Sequence, residues 1–160
     1  MHLRNLLLLF CLFCTTVLRA QDQWNTAIPK DIVILQSTKD YNTALGTARQ
    51  AAARMGKKLD LEGNHPNKQL GLSMTKDDCE GSAYDYPCYT ARGEGGAEDS
   101  DYISIEYSDA YEGFAKGYYI VVAALAEPAS ARSKAAVANA KKWYKDAYAK
   151  RTRVWRGCMH

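Results

Sequence analysis

Residues 118–124 read Tyr118-Tyr119-Ile120-Val121-Val122-Ala123-Ala124. A run this apolar and β-branched is the pattern of a central strand covered on both sides. Pro128 and Ser130 follow and open a helix from 131 to about 148. Ala136, Ala140, Trp143 and Ala147, with Val137, Tyr144 and Tyr148 beside them, form its apolar stripe, and Lys134, Lys141, Lys142 and Lys145 lie largely off it. Residues 151–155, RTRVW, alternate and can close a sheet.

The first half of the chain repeats this plan. Residues 32–35, IVIL, read as a buried strand, and Ser37, Thr38 and Asp40 offer helix N-caps. Ala44, Ala48, Ala51, Ala52 and Met55 recur at helical spacing over 41–55, and Gly56 fits the position after the helix end. Alanines on that face let a helix sit close against a sheet. Residues 57–61 are a strand or an extended exit. Residues 102–107, YISIEY, alternate as a half-buried strand. Two such units, interleaved, predict an α+β fold in β-α-β-β-α-β order. This is a ferredoxin-like sandwich, with one antiparallel sheet, both helices on one face and the other face open.

Between the halves lies an insertion, residues 62–100, rich in Gly and carrying Pro66 and Pro87. An ordered loop this long is uncommon unless it is functional or braced. Cys79 and Cys88 bracket the turn residues Gly81, Ser82 and Pro87, and are the expected disulfide, worth about 2–3 kcal/mol for so short a loop. A short strand is expected at 88–91.

The compartment follows from the start of the chain. Residues 1–20 have a basic beginning (His2, Arg4), an apolar run from Leu6 to Phe13, and small Ala20 before polar Gln21. That is the layout of a secretory signal peptide, too short to span a bilayer. The expectation is an exported protein, periplasmic or extracellular, forming one domain over 21–160 with no membrane span after cleavage. Cys158 is then the odd thiol, near the chain end.

Loss of Arg4 and Arg19 would take the formal net charge from +3 to +1, so overall charge implies no acidic partner. The distribution is uneven. Residues 77–112 hold eleven acidic residues against Arg92 alone, and 127–160 hold nine Lys or Arg against Glu127 and Asp146. Two solvated, mutually attracting faces explain this segregation; a basic end that binds an anionic polymer is the sharper reading. Export argues against nucleic acid.

No catalytic set stands out, and the expectation is a protein that is not an enzyme. Asp77, Asp78 and Glu80, or Glu98, Asp99 and Asp101, lack the spacing of a calcium loop. His65 is the only internal histidine, which leaves no zinc set, and no cofactor is implied. Glu106 and Asp109 could pose as a glycosidase pair, but any chain this rich in carboxylates yields such pairs. Eight tyrosines fall within 84–119 and suit sugar rings, a protein partner or packing between insertion and sheet.

The stretch 107–122, YSDAYEGFAKGYYIVV, resembles the loop into the third strand of the SPOR family, small exported domains of this layout. The resemblance covers 31–62 and 101–156 but not the insertion. The family's Gly soon after the first and third strands is replaced here by Gln36-Ser37-Thr38 and Ala123-Ala124-Leu125. The resemblance implies binding of peptidoglycan glycan strands, preferably those stripped of stem peptides. The open sheet face would then carry the site, with Arg151, Arg153 and Trp155 on the last strand and Tyr111, Phe114 and Tyr119 on or beside the loop. The alternatives are an envelope-protein partner met by the tyrosines and, less favoured, a hydrolase using carboxylates of the insertion.

Overall fold

The computed structural model describes residues 26–96 and 101–156. The signal-peptide reading, residues 97–100 of the insertion and Cys158 lie outside the described residues.

The chain forms a mixed α+β fold. Strand β1 (Ala27–Thr38) leads to helix α1 (Tyr41–Met55) and the short strand β2 (Lys58–Asp60). The insertion holds a small hairpin, β3 (His65–Asn67) and β4 (Gly71–Ser73), then helix α2 (Lys76–Gly81). Strands β5 (Tyr102–Tyr107) and β6 (Tyr119–Ala126), helix α3 (Ala131–Lys141) and strand β7 (Tyr148–Trp155) complete it. The main sheet has the order β2-β5-β6-β1-β7. Its pairings are antiparallel except β2–β5, which is parallel and puts the exit of α1 into the sheet.

Both helices lie on one face. The Asp40 carboxylate caps α1 by accepting the Thr43 amide at 2.6 Å, and Gly56, at φ 64°, ends it. Ala44, Ala48 and Ala51 pack with Val33, Leu35, Val121, Ile103 and Ala140 of α3 in one buried cluster. Small side chains let helix and sheet approach closely, so this face is filled by backbone proximity as much as by bulk.

The second face is not open, which corrects the sequence expectation. Ile32, Ile34, Ile120, Val122, Leu125 and Val154 point to it, and Tyr111 and Ala110, with Phe114, Tyr118 and Ala91, cover them. Strands apolar on both sides need two covers. Helices supply one, and the loop 108–118 with part of the insertion supplies the other.

Three further expectations are corrected. Helix α3 stops at Lys141 rather than near 148: Trp143 and Tyr144 donate to the Ala140 carbonyl in a tight turn, and Tyr148 already belongs to β7. Residues 142–147 form turns, and the pairing of Tyr148 with Ile34 of β1 outweighs its helix propensity. The polar side of β5 is buried rather than solvated, because Arg92 of the insertion lies over Ser104 and Glu106. No strand forms at 88–91.

The Cys79–Cys88 disulfide is present, and it braces the insertion as expected. The insertion grips the sheet from both sides. Leu72 joins the helix-side cluster, while Ala91 and Arg92 reach the second face. The expected packing of tyrosines is seen in part: Tyr89, Tyr107, Tyr119 and Tyr41 form a chain of rings with centroids 5.3–5.5 Å apart.

Register between β1 and β6 slips twice. Val33 faces Ala124, Ile34 faces Val122 and Gln36 faces Val121, so an extra residue near Ala123 on one strand is answered by one near Leu35 on the other.

Strand β1 starts earlier than the apolar run suggested, because Lys30 and Asp31 are buried with partners. Lys30 pairs with Glu127 at 2.5 Å. Asp31 accepts from the Ala129 amide at 2.7 Å, the Ser133 hydroxyl at 3.0 Å and Arg151 at 3.1 Å. Burial pushes its carboxyl up, but these donors together hold it below the usual carboxylate range. A depressed folded value stabilises above the unfolded value and is lost as pH falls through the folded one. The stability advantage of the parent over Asp31→Asn should therefore be flat near neutrality and shrink below about pH 4. Urea unfolding across that range measures it; an advantage independent of pH would refute the assignment.

Candidate binding groove

Strand β7 joins β1 only as far as the Ile34–Tyr148 pair, whereas β6 continues alongside β1 to Thr38. Residues 35–38 of β1 therefore have a paired strand on one side only, among the described residues. Beside them runs a groove of about 430 Å³, lined by Leu35, Gln36, Ser37, Thr47, Tyr144, Lys145, Asp146 and Tyr148. It shares Ser37 and Tyr148 with a smaller cleft of about 160 Å³ lined by Phe114, Tyr118 and Lys150. Together they pass round the start of β7 from the helix-bearing face to the second face.

The walls are aromatic, with the lysines Lys145 and Lys150 and one carboxylate, Asp146. Tyr148 is 43% exposed. Lys150 Nζ stands 4.3 Å from the Phe114 ring centre, and Lys39 Nζ stands 5.0 Å from that of Tyr118. Gln36 Oε1 is buried and has no hydrogen-bond partner among the described residues. A buried amide oxygen left bare costs about 1–3 kcal/mol, and this one lies behind the groove wall rather than open to it.

The loop that forms one wall is fixed from within. Gly117 N–H donates to Asp109 at 2.7 Å, Tyr118 N–H donates to the Ser108 hydroxyl at 2.9 Å, and Gly113 and Gly117 take φ values of 77° and 82°. Those two glycines are the positive-φ positions the sequence motif carries.

The six residues proposed from sequence do not come together. Arg151, Arg153 and Trp155 are exposed on β7, but they share the side of Asp31 and Val33, the helix-bearing side. There Arg151 pairs with Asp31, and Arg153 donates to the Ala27 carbonyl. Tyr111 is fully buried on the second face, and Tyr119 is buried on the helix side. Only Phe114 lies in the groove. Sequence reading missed Gln36, Lys39 and Lys150, and it placed Tyr148 in a helix. The available signal was the period-two continuation of β7 upstream of Arg151, which puts Tyr148 and Lys150 on one face.

Among the described residues, no three His, Cys, Asp or Glu side chains gather as a metal set, and no helix is long and apolar enough to cross a membrane. No family model matches the chain, and no curated protein or solved structure is similar enough to count as a match.

Proposed function

We propose that the protein is an exported, non-enzymatic binding domain that holds cell-wall glycan strands in the groove at the start of β7. The observation that carries this reading is the set of accessible rings, Tyr148, Phe114 and Tyr118, flanked by Lys39 and Lys150. Sugar rings present apolar C–H faces that stack on aromatic rings. Glycan strands freed of stem peptides also expose carboxylates, which lysines attract.

The arrangement of elements supports the same reading. Without β2 and the insertion, the strands run second-third-first-fourth, with both helices on one face. This order supports the ferredoxin-like reading that the SPOR resemblance implies. The Cys79–Cys88 bridge fits an oxidising compartment.

The test is co-sedimentation with purified peptidoglycan, with and without stem peptides. Tyr148→Ala should weaken binding about tenfold, since a stacked ring is worth about 0.5–1.5 kcal/mol beyond its buried area. Lys39→Ala with Lys150→Ala should weaken it and flatten its salt dependence. Arg153→Ala, outside the groove, should bind like the parent. Folded groove variants that bind normally would remove the groove from the reading. A parent that does not bind would favour a protein partner instead. Tyr84 and Tyr86, 38% and 41% exposed on the disulfide loop, would then be the first residues to replace.

A further inference from the structure

Helices α1 and α3 form a layer without carboxylates. Residues 41–57 and 128–145 hold eight Lys or Arg and no Asp or Glu. Helix stability does not account for this. The macrodipole favours acids in the first turn of a helix, and neither helix has one there. It favours cations in the last turn, which explains Arg54 and Lys141 but not Arg49 in the middle of α1 or Lys134 near the start of α3.

The acidic part of the chain does not neutralise the layer either. Lys57 pairs with Asp101 at 2.5 Å. Arg49, Lys134, Lys141 and Lys142 are exposed and have no ion pair among the described residues.

A large apolar ring breaks the surface of the same layer. Trp143 follows α3 and is 50% exposed, the most of any large apolar side chain among the described residues. Arg54, in the last turn of α1, has its guanidinium carbon 5.8 Å from the ring centre, which brings the ends of the two helices together. The cations are spread over helices about 22 Å and about 16 Å long rather than lined along one groove. That spread suits a plane of negative charge better than a single anionic strand. Tryptophan set among lysines and arginines is the combination that settles at a lipid headgroup boundary.

We infer that the helix-bearing layer docks on an anionic phospholipid bilayer. Trp143 enters the headgroup region, and Arg49, Arg54, Lys134, Lys141 and Lys142 lie over the lipid phosphates. None of these six residues lines the groove at the start of β7, so the inference is independent of the glycan reading.

Co-sedimentation of the exported protein with vesicles of phosphatidylglycerol and phosphatidylcholine, and with vesicles of phosphatidylcholine alone, tests it. Binding should require the anionic lipid and fall as salt rises. Lys141→Ala with Lys142→Ala should weaken it at least about tenfold, since each cation near an anionic surface is worth about fivefold in affinity. Trp143→Ala should weaken it with the salt dependence retained. Tyr148→Ala, in the groove, should bind vesicles like the parent. Failure to bind the anionic vesicles would overturn the inference, and retention by dextran sulfate in that case would assign the layer to a polymer. Equal binding to both kinds of vesicle would also overturn it, as would folded Lys141/Lys142 and Trp143 variants that bind like the parent.

Discussion

Glu106→Ala is expected to destabilise the protein by about 3–5 kcal/mol, a large share of the stability of a domain this size. Glu106 is 5% exposed and ties the end of the insertion, β5 and the loop after β5 together. Its carboxylate accepts from Arg92 Nε at 3.1 Å, from the Arg92 amide at 3.2 Å and from the Ser104 hydroxyl at 2.5 Å, and Tyr111 donates its phenol proton to it. Truncation would strand the Arg92 charge in a dry environment, and that penalty dominates the loss. Burial first, and then the Glu106 charge, push the Tyr111 phenol well above its ordinary range, so it remains a donor at all physiological pH. Glu106→Gln keeps shape but loses the charge and turns one of the two accepting oxygens into an NH2 donor, and should fall between parent and Ala. Tyr111→Phe removes one hydrogen bond and should cost about 1 kcal/mol. Urea midpoints at constant slope measure all three. A Glu106→Ala loss no larger than that of Tyr111→Phe would show that the ion pair does not anchor the insertion.

Gly71→Ala is the second large effect, expected at about 3 kcal/mol from backbone strain and overpacking together. Gly71 opens β4 at φ 81°, a conformation that side chains disfavour. A Cβ there would sit inside the Tyr107 ring, which is stacked between Tyr89 and Tyr119 and has little room to retreat. Gly63, at the same φ of 81° but with nothing within 4 Å of a built Cβ, is the control. Gly63→Ala should show the backbone cost alone, about 1–2 kcal/mol. Thermal melts of the two variants, side by side, separate strain from clash. Equal losses would mean that the Tyr107 ring moves freely.

The difference between these glycines marks what the sequence could reveal. Periodicity located α1 and β5, each of which buries a regular stripe, and the unbroken apolar run located β6 to within two residues. The Cys79–Cys88 pair was legible from the turn residues between them. The start of β1 was hidden by Pro29, Lys30 and Asp31, whose burial depends on Glu127, Ala129, Ser133 and Arg151, about a hundred residues away. The groove was hidden for a related reason. It exists because β7 stops short of the end of β1, and the stopping point is set by where α3 unwinds. The covered second face was implicit in the all-apolar β6, but the residues that cover it come from a loop and an insertion without periodic signal.

The two register slips between β1 and β6 constrain how this family of shapes could change length. Each slip alone would turn the remainder of a strand over and send Val121 or Ile120 to the wrong cluster. Because they cancel, the strands end as they began, each side chain toward its proper layer. Loss of one residue near Leu35 is therefore a frameshift in space, and a matching loss near Ala123 restores the reading. A single deletion at either position turns over the rest of its strand, whereas the pair keeps every other side chain in its layer and loses only two buried ones. Indels in these two strands would be inherited as couples.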